Sequence, residues 1–202
     1  MSKPSKGVLI VLEGGDGSGK TTQAKVLSSE LRREGYKVKP TAEPSRSAAG
    51  RLIRRKILHG KKASPEVEAL LFAADRFLHI ESEILPAVAG GKIVVCDRYM
   101  YASFAYQGAQ GVDMHWLREI NRFAVKPDLA LYLDVPAEMG MRRIKRKRSV
   151  LEELKLQRQV RDEYLKLVEA GELTLVDATQ PITKVSENVM ELVTRRLREL
   201  GI

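Results

Sequence analysis

The sequence predicts an α/β fold, a five-stranded parallel sheet with helices on both faces. Two observations carry that reading. Short apolar runs recur along the chain, separated by helix-length segments, which is the alternation that parallel crossover connections require. The first run leads into Gly14-Gly15-Asp16-Gly17-Ser18-Gly19-Lys20-Thr21, which satisfies G-x-x-x-x-G-K-[ST]. A strand before that motif and an amphipathic helix after it are the context a phosphate-binding loop needs, and together they predict a P-loop NTPase fold.

The elements follow in order. Val8–Glu13 (VLIVLE) is a short apolar run that reads as a buried strand. Thr21–Glu34 has helical spacing, with Ala24, Leu27 and Leu31 on one face, and Gly35 stands where that helix stops. Tyr36–Thr41 is the second strand, and Glu43–Gly50 reads as a loop. Ser64-Pro65 followed by Glu66 and Glu68 marks a helix start, with Pro at the first position and acids in the first turn. That helix is expected to run through Leu85 and stop at Pro86 or Gly90-Gly91. Lys92–Asp97, Leu129–Asp134 and Leu173–Asp177 complete the strands, and Pro181–Leu200 is a closing helix. No repeat, low-complexity tract or long linker divides the chain, so one domain is expected over residues 1–202, with a short basic lid at about 142–152.

Composition narrows the function. Hydrophobic residues make up 44 % and charged residues 30 %, a soluble globular balance. No apolar run approaches the roughly 20 residues that span a bilayer. The start of the chain shows no cleavage site, so secretion is not expected. Cys96 alone excludes an internal disulfide and a cysteine zinc site, and fits a reducing cytoplasm. The net charge of +9 is not spread evenly: Arg51–Lys62 and Arg142–Arg148 hold six basic residues each and no acid. Without those two segments 23 basic residues face 26 acidic ones, a net of −3. Two local anion sites explain this better than a uniform nucleic-acid coat.

The motif chemistry agrees. Glycines let backbone N–H groups converge on phosphate oxygens at a helix N-terminus. Gly14, Gly15, Gly17, Ser18 and Gly19, with Lys20, Thr21 and Thr22, therefore form the expected triphosphate site; Lys20 neutralises the β- and γ-phosphates and Thr21 ligates Mg²⁺. Asp97 and Arg98 close a buried strand at the sheet edge where ligands bind. There Asp97 would hold Mg²⁺ or its waters and Arg98 a phosphate. No Asn-Lys-x-Asp is present for guanine, and no G-x-G-x-x-G for a dinucleotide. His59, His79 and His115 have no metal or triad spacing.

The ordered set Glu13-Gly14-Gly15-Asp16, Gly19-Lys20-Thr21-Thr22-Gln23, Glu43-Pro44, Phe72-Ala73-Ala74-Asp75-Arg76, Asp97-Arg98-Tyr99 and Tyr106-Gln107-Gly108 resembles thymidylate kinases. Pro127-Asp128-Leu129, Leu133-Asp134-Val135-Pro136 and Val176-Asp177-Ala178 continue the resemblance. It implies transfer of the γ-phosphoryl group of ATP to dTMP, giving dTDP, with Mg²⁺. The acceptor is a phosphate monoester, mostly dianionic at pH 7, so no general base is required. By resemblance Asp16 accepts the sugar 3′-hydroxyl, Phe72 stacks on thymine and Arg76 reaches the base edge. Arg98 binds the acceptor phosphate, Tyr106 presses on the deoxyribose C2′, and Ser103 and Gln107 help at the base. Arg143 would stack on adenine, and Arg146 or Arg148 in the lid would supply the catalytic arginine, since Gly17 stands where some relatives carry one.

The chain departs from the family where many relatives read Arg-Glu-Pro and it has Ala42-Glu43-Pro44; Arg46, Arg51 or Arg54 is expected to take over. Ala102, where a Ser is common, is a minor change. The resemblance further implies a homodimer, with no nucleic-acid or membrane partner. Two other readings stay open at this point: a kinase of another nucleoside monophosphate or of a nucleoside, with Glu43 as its base, and a nucleic-acid-binding P-loop ATPase.

Overall fold

Side chains alternate across a strand, so a run buried at every position must be covered on both faces. That is what β1 (Val8–Glu13) shows in the computed structural model, which describes residues 7–58, 63–144 and 153–202. Leu9 and Val11 enter one core with Val94, Cys96, Tyr132, Val160 and Tyr164. Val8, Ile10 and Leu12 enter the other with Ala24, Leu27, Leu31, Val185, Val189 and Val193.

β1 is the central strand. It pairs in parallel with β3 (Ile93–Asp97) on one side and β4 (Leu129–Asp134) on the other; β2 (Val38–Ala42) and β5 (Thr174–Asp177) form the edges. The register sets Leu12 beside Asp97 and Glu13 beside Tyr132, so the strand ends that carry carboxylates share one edge of the sheet. Helices α1 (Lys20–Arg33) and α9 (Ile182–Glu199) cover the Leu12 face. The Leu9 face is covered by α3 (Pro65–His79), α4 (Leu85–Ala89), α5 (Met100–Ala109), α6 (Met114–Ile120) and α8 (Leu154–Glu169). Among these, α5, α6, α8 and the short α7 (Ala137–Arg143) occupy stretches that the sequence marked only as helix-length.

Two sequence expectations are corrected. The loop expected over residues 43–50 ends early, because α2 (Ala48–Leu52) starts inside it and continues as a π-helical turn, Ile53–Leu58. Ser47 caps α2 by accepting from Gly50 N at 2.9 Å. The fully buried Asp75 fixes this segment from α3, accepting from Ser45 N, Ser45 Oγ and Ser47 Oγ at 2.5–2.6 Å. No local pattern reveals an anchor 30 residues away. The second concerns the helix stop, which the sequence leaves open between Pro86 and Gly90-Gly91. The long helix expected through Leu85 is α3, a π-helical turn Ile80–Ile84, and α4, and Pro86 lies in the first turn of α4 rather than ending it. Gly90 and Gly91 make the stop, Gly91 with a φ of 68°. A proline fits early in a helix because its missing N–H has no partner to lose there.

Of the basic lid expected at 142–152, Arg142 and Arg143 end α7 and Ile144 follows; the remainder lies outside the described residues. No helix among the described residues is long and apolar enough to cross a membrane.

Leu131, in β4 and fully buried between α1 and α9, tests the central layer. Leu131→Ala should cost about 2–5 kcal/mol, read as a lower urea midpoint with an unchanged slope.

Candidate active site

The glycine-rich loop joins the end of β1 to α1, and three of its glycines take positive φ: 151° at Gly14, 78° at Gly17 and 94° at Gly19. Gly17 is doubly constrained, because a Cβ there would lie 2.0 Å from the Gly140 carbonyl oxygen. Conversely, a Cβ on Gly140 would come within 2.5 Å of Asp16 O. The loop therefore rests backbone to backbone on α7. An arginine at position 17 has no room here, which gives the departure seen in the sequence a physical reason.

Lys20 is the buried cation of the loop. Its Nζ donates to Gly15 O at 2.7 Å and Ser18 Oγ at 3.1 Å. Burial, aided by the neighbouring Arg98 charge, pushes its ammonium down to about 8, against the pull of Asp97, Asp16 and Glu13. One residue on, Thr21 Oγ1 donates to Asp97 Oδ2 at 2.6 Å. A hydroxyl beside a carboxylate is a hard oxygen pair of the kind Mg²⁺ takes, with phosphate oxygens and waters completing its shell. Among the described residues no group of three or more His, Cys, Asp or Glu is placed to hold a metal without such help.

Arg98 follows Asp97 with a left-handed φ of 70°. Its guanidinium donates to Gly14 O at 3.0 Å and to Asp16 Oδ1 at 2.5 Å, and lies 5.1 Å from the Tyr106 ring centroid. Gln157 on α8 completes this corner. Its Oε1 accepts from Asp16 N and its Nε2 donates to Asp16 Oδ2, both at 2.9 Å, and to Tyr106 Oη at 3.4 Å. The structure thus brings Asp16, Arg98 and Tyr106 together as the sequence expects.

Glu43 and Arg76 sit deeper. The Glu43–Pro44 peptide is cis, and the Glu43 carboxylate is held between Arg76 Nε at 3.0 Å and His79 Nδ1 at 3.2 Å. Arg76 also donates to Asn121 Oδ1, Tyr99 O and Ser103 Oγ. Five N–H groups are available on a guanidinium, and four of these are engaged. The contact expected between Arg76 and a base edge is thereby restricted to the remaining Nη1–H, and Arg76 is chiefly a buried strut. Phe72 is half-buried one turn earlier on α3, and Gln107 donates to Glu68 at 3.5 Å. Among the three arginines expected to replace the missing one, Arg54 faces the cleft, held by Nη1 on Pro44 O and Nη2 on Ser45 O, each at 2.6 Å. Arg51 instead caps the Arg46 carbonyl at the surface.

A cleft of about 1340 Å³ runs across these parts. Asp16–Gln23 and Asp97–Arg98 line its middle, Glu43, Pro44 and Arg54 one end, and Arg143 with Ala178–Ile182 the other. Arg143 Nη1 donates to Ala178 O at 3.1 Å. Neither Phe72, Arg76, Ser103, Tyr106 nor Gln107 lines this cleft. Arg146 and Arg148 lie outside the described residues. Sequence reasoning missed Gln157, Gly140 and Asn121, which stand in segments without a local motif. Glu13 alone had a signal, a charge ending an otherwise apolar strand.

A glycine-rich loop after β1, an oxygen pair joining it to β3, and Arg98 and Arg54 lining the same cleft are the parts of a P-loop phosphotransferase. The comparisons narrow the class. The sequence profile described as Thymidylate kinase matches residues 12–189. A probable thymidylate kinase from Pyrococcus horikoshii is 49 % identical over 201 residues, covering 95 % of this chain and 98 % of the relative. One from Thermococcus kodakarensis is 45 % identical, covering 95 % and 100 %. A thymidylate kinase from a Synechococcus species is 40 % identical, covering 94 % and 96 %. The chain belongs to the thymidylate kinase family.

The close seat of the loop on α7 predicts that Gly140→Ala displaces it. The KM for ATP should rise about tenfold, a loss near 1.4 kcal/mol, while the chain still unfolds cooperatively. Steady-state rates with ATP varied measure this, and an unchanged KM would show that the contact does not shape the loop.

Proposed function

We propose that the protein transfers the γ-phosphoryl group of ATP to dTMP, giving dTDP and ADP, with Mg²⁺, in dTTP synthesis. The observation that supports this reading most is the Asp16–Arg98 pair, a carboxylate and a guanidinium side by side at the glycine-rich loop, groups suited to a sugar hydroxyl and a phosphate. By family resemblance Tyr106, whose ring lies against the Arg98 guanidinium, would press on the sugar edge that carries a 2′-hydroxyl in a ribonucleotide.

The transfer needs two polyanions held in line and their charge neutralised. Loop N–H groups and Lys20 take the triphosphate, and Arg143, against Ala178 O, would cover the adenine. Thr21 and Asp97 would hold Mg²⁺, which would offset the negative charge of the phosphates. Arg98 and Arg54, which line the same cleft, receive the acceptor phosphate, and Arg54 stands in for the arginine absent before Glu43-Pro44. By family resemblance Arg146 and Arg148 contribute charge to the transferring group. Glu43 is a poor candidate for the base of a nucleoside kinase, because Arg76 and His79 already engage its carboxylate. The acceptor's own phosphate oxygen attacks, so no base is needed.

The partners proposed are ATP, dTMP and a second copy of the chain. Val67, Leu70, Leu78 and Leu85 are exposed apolar residues along α3 and α4, the side proposed for a homodimer contact. The single buried Cys96 fits a cytoplasmic setting.

A coupled assay with ATP and a panel of dTMP, dUMP, UMP, CMP, AMP and thymidine tests the reaction; dTMP should turn over fastest, and a faster rate with another acceptor would contradict it. In the same assay Arg54→Ala should raise the KM for dTMP about tenfold or more, the loss of one charged hydrogen bond to phosphate. Arg51→Ala should leave it within about twofold, as expected of a surface residue away from the cleft.

A further inference from the structure

Glu13 is a fully buried carboxylate that the proposed reaction does not use. A charge at the end of a buried strand is costly unless it is hydrogen-bonded, and both oxygens of Glu13 are engaged. Oε1 accepts from Tyr99 N and Oε2 from Tyr164 Oη, each at 2.8 Å. Burial pushes the carboxyl up to about 7, opposed by the Tyr164 hydroxyl, the Arg98 charge, the Tyr99 N–H and Lys20.

The position of Tyr99 gives this clamp its meaning. Arg98 is the one non-glycine residue with positive φ among the described residues, at 70°. Holding an L-residue there costs on the order of 1–2 kcal/mol, so neighbouring contacts must impose it. The peptide N–H groups on either side of its side chain are both tied to β1: Arg98 N to Leu12 O at 2.9 Å, and Tyr99 N to the Glu13 carboxylate. The left-handed turn sends the guanidinium back across β1 to Gly14 O and Asp16. Helix α8 then supports both members of that pair. Gln157 grips Asp16, and Tyr164, seven residues later on the same helix face, grips Glu13.

We propose that Glu13 is a positioning residue for phosphoryl transfer: anchored by Tyr164, it holds the peptide after Arg98 so that the Arg98 guanidinium stays aimed at the acceptor phosphate. The inference rests on the assignment of Arg98 to that phosphate, and the test separates the two.

Initial rates are measured for Glu13→Ala, Glu13→Gln, Tyr164→Phe and Arg98→Ala, with dTMP varied at saturating ATP and the converse. Glu13→Ala should raise the KM for dTMP about tenfold and lower kcat, leaving the KM for ATP within about twofold, as expected when a positioning contact of one hydrogen bond's strength is lost. Glu13→Gln should recover most of the loss, since its amide oxygen still accepts from Tyr99 N. Tyr164→Phe should fall between them, and it decides the matter if Glu13→Ala does not fold. An unchanged KM for dTMP in both Glu13→Ala and Tyr164→Phe overturns the proposal, as does an equal rise in the two KM values. If Arg98→Ala itself leaves the KM for dTMP unchanged, the assignment of Arg98 fails, and the role of Glu13 fails with it.

Discussion

The ion pair between Arg98 and Asp16 is the contact on which the site's geometry depends. It joins two segments 82 residues apart, and it exists because β1 and β3 run parallel with Leu12 beside Asp97. That register brings the loop after β1, which carries Asp16, and the residue after β3, Arg98, to the same edge of the sheet. The pair is about one-fifth exposed on each side, 20 % and 22 %. A partly solvated pair of this kind adds little net stability. Its value is positional: it fixes a guanidinium and a carboxylate beside the glycine-rich loop.

Around that pair the structure has a consistent logic. The backbone conformations that bring groups close are supplied by glycines at 14, 17 and 19, and by one strained arginine. Buried side chains then hold the strained parts in place. Glu13 holds the turn at Arg98, Gln157 holds Asp16, and Asp75 holds the segment that carries Arg54. Glu43 performs a similar task, linking Arg76 to His79 beside the end of the cleft that Arg54 lines. Rigid support of this sort suits a reaction whose main difficulty is electrostatic, because donors that are already oriented need not reorganise as charge moves.

Much of this was legible in the sequence, for reasons that differ by element. β1 and α1 were plain because their apolar periodicities are strong and the glycine-rich motif fixes the junction between them. The charge of +9 resolved into two basic strips, and of these Arg54 and Arg143 stand at opposite ends of the cleft. Asp16, Arg98 and Tyr106 were found as members of a motif set, and the geometry joins them. The rest depends on contacts that no local pattern encodes. Gln157 reaches Asp16 across 141 residues, and Asn121 reaches Arg76 across 45. Arg76 shares a helix face with Phe72, four residues before it, but the buried partners of its guanidinium lie on other elements and leave no trace in that spacing. The stop of the helix after Pro65 is open in the sequence between Pro86 and Gly90-Gly91; the glycines make it, because Pro86 falls in the first turn of α4 after a π-helical turn that no local pattern reveals.

The central claim is that Asp16 and Arg98 act as one unit on the acceptor nucleotide. A double-mutant cycle of Asp16→Ala and Arg98→Ala, read as kcat/KM for dTMP, tests it most directly. The account predicts strong non-additivity, a coupling of about 1–3 kcal/mol, because either substitution removes the contact that orients the other. Losses that simply add would show that the two side chains work independently, and would contradict the account.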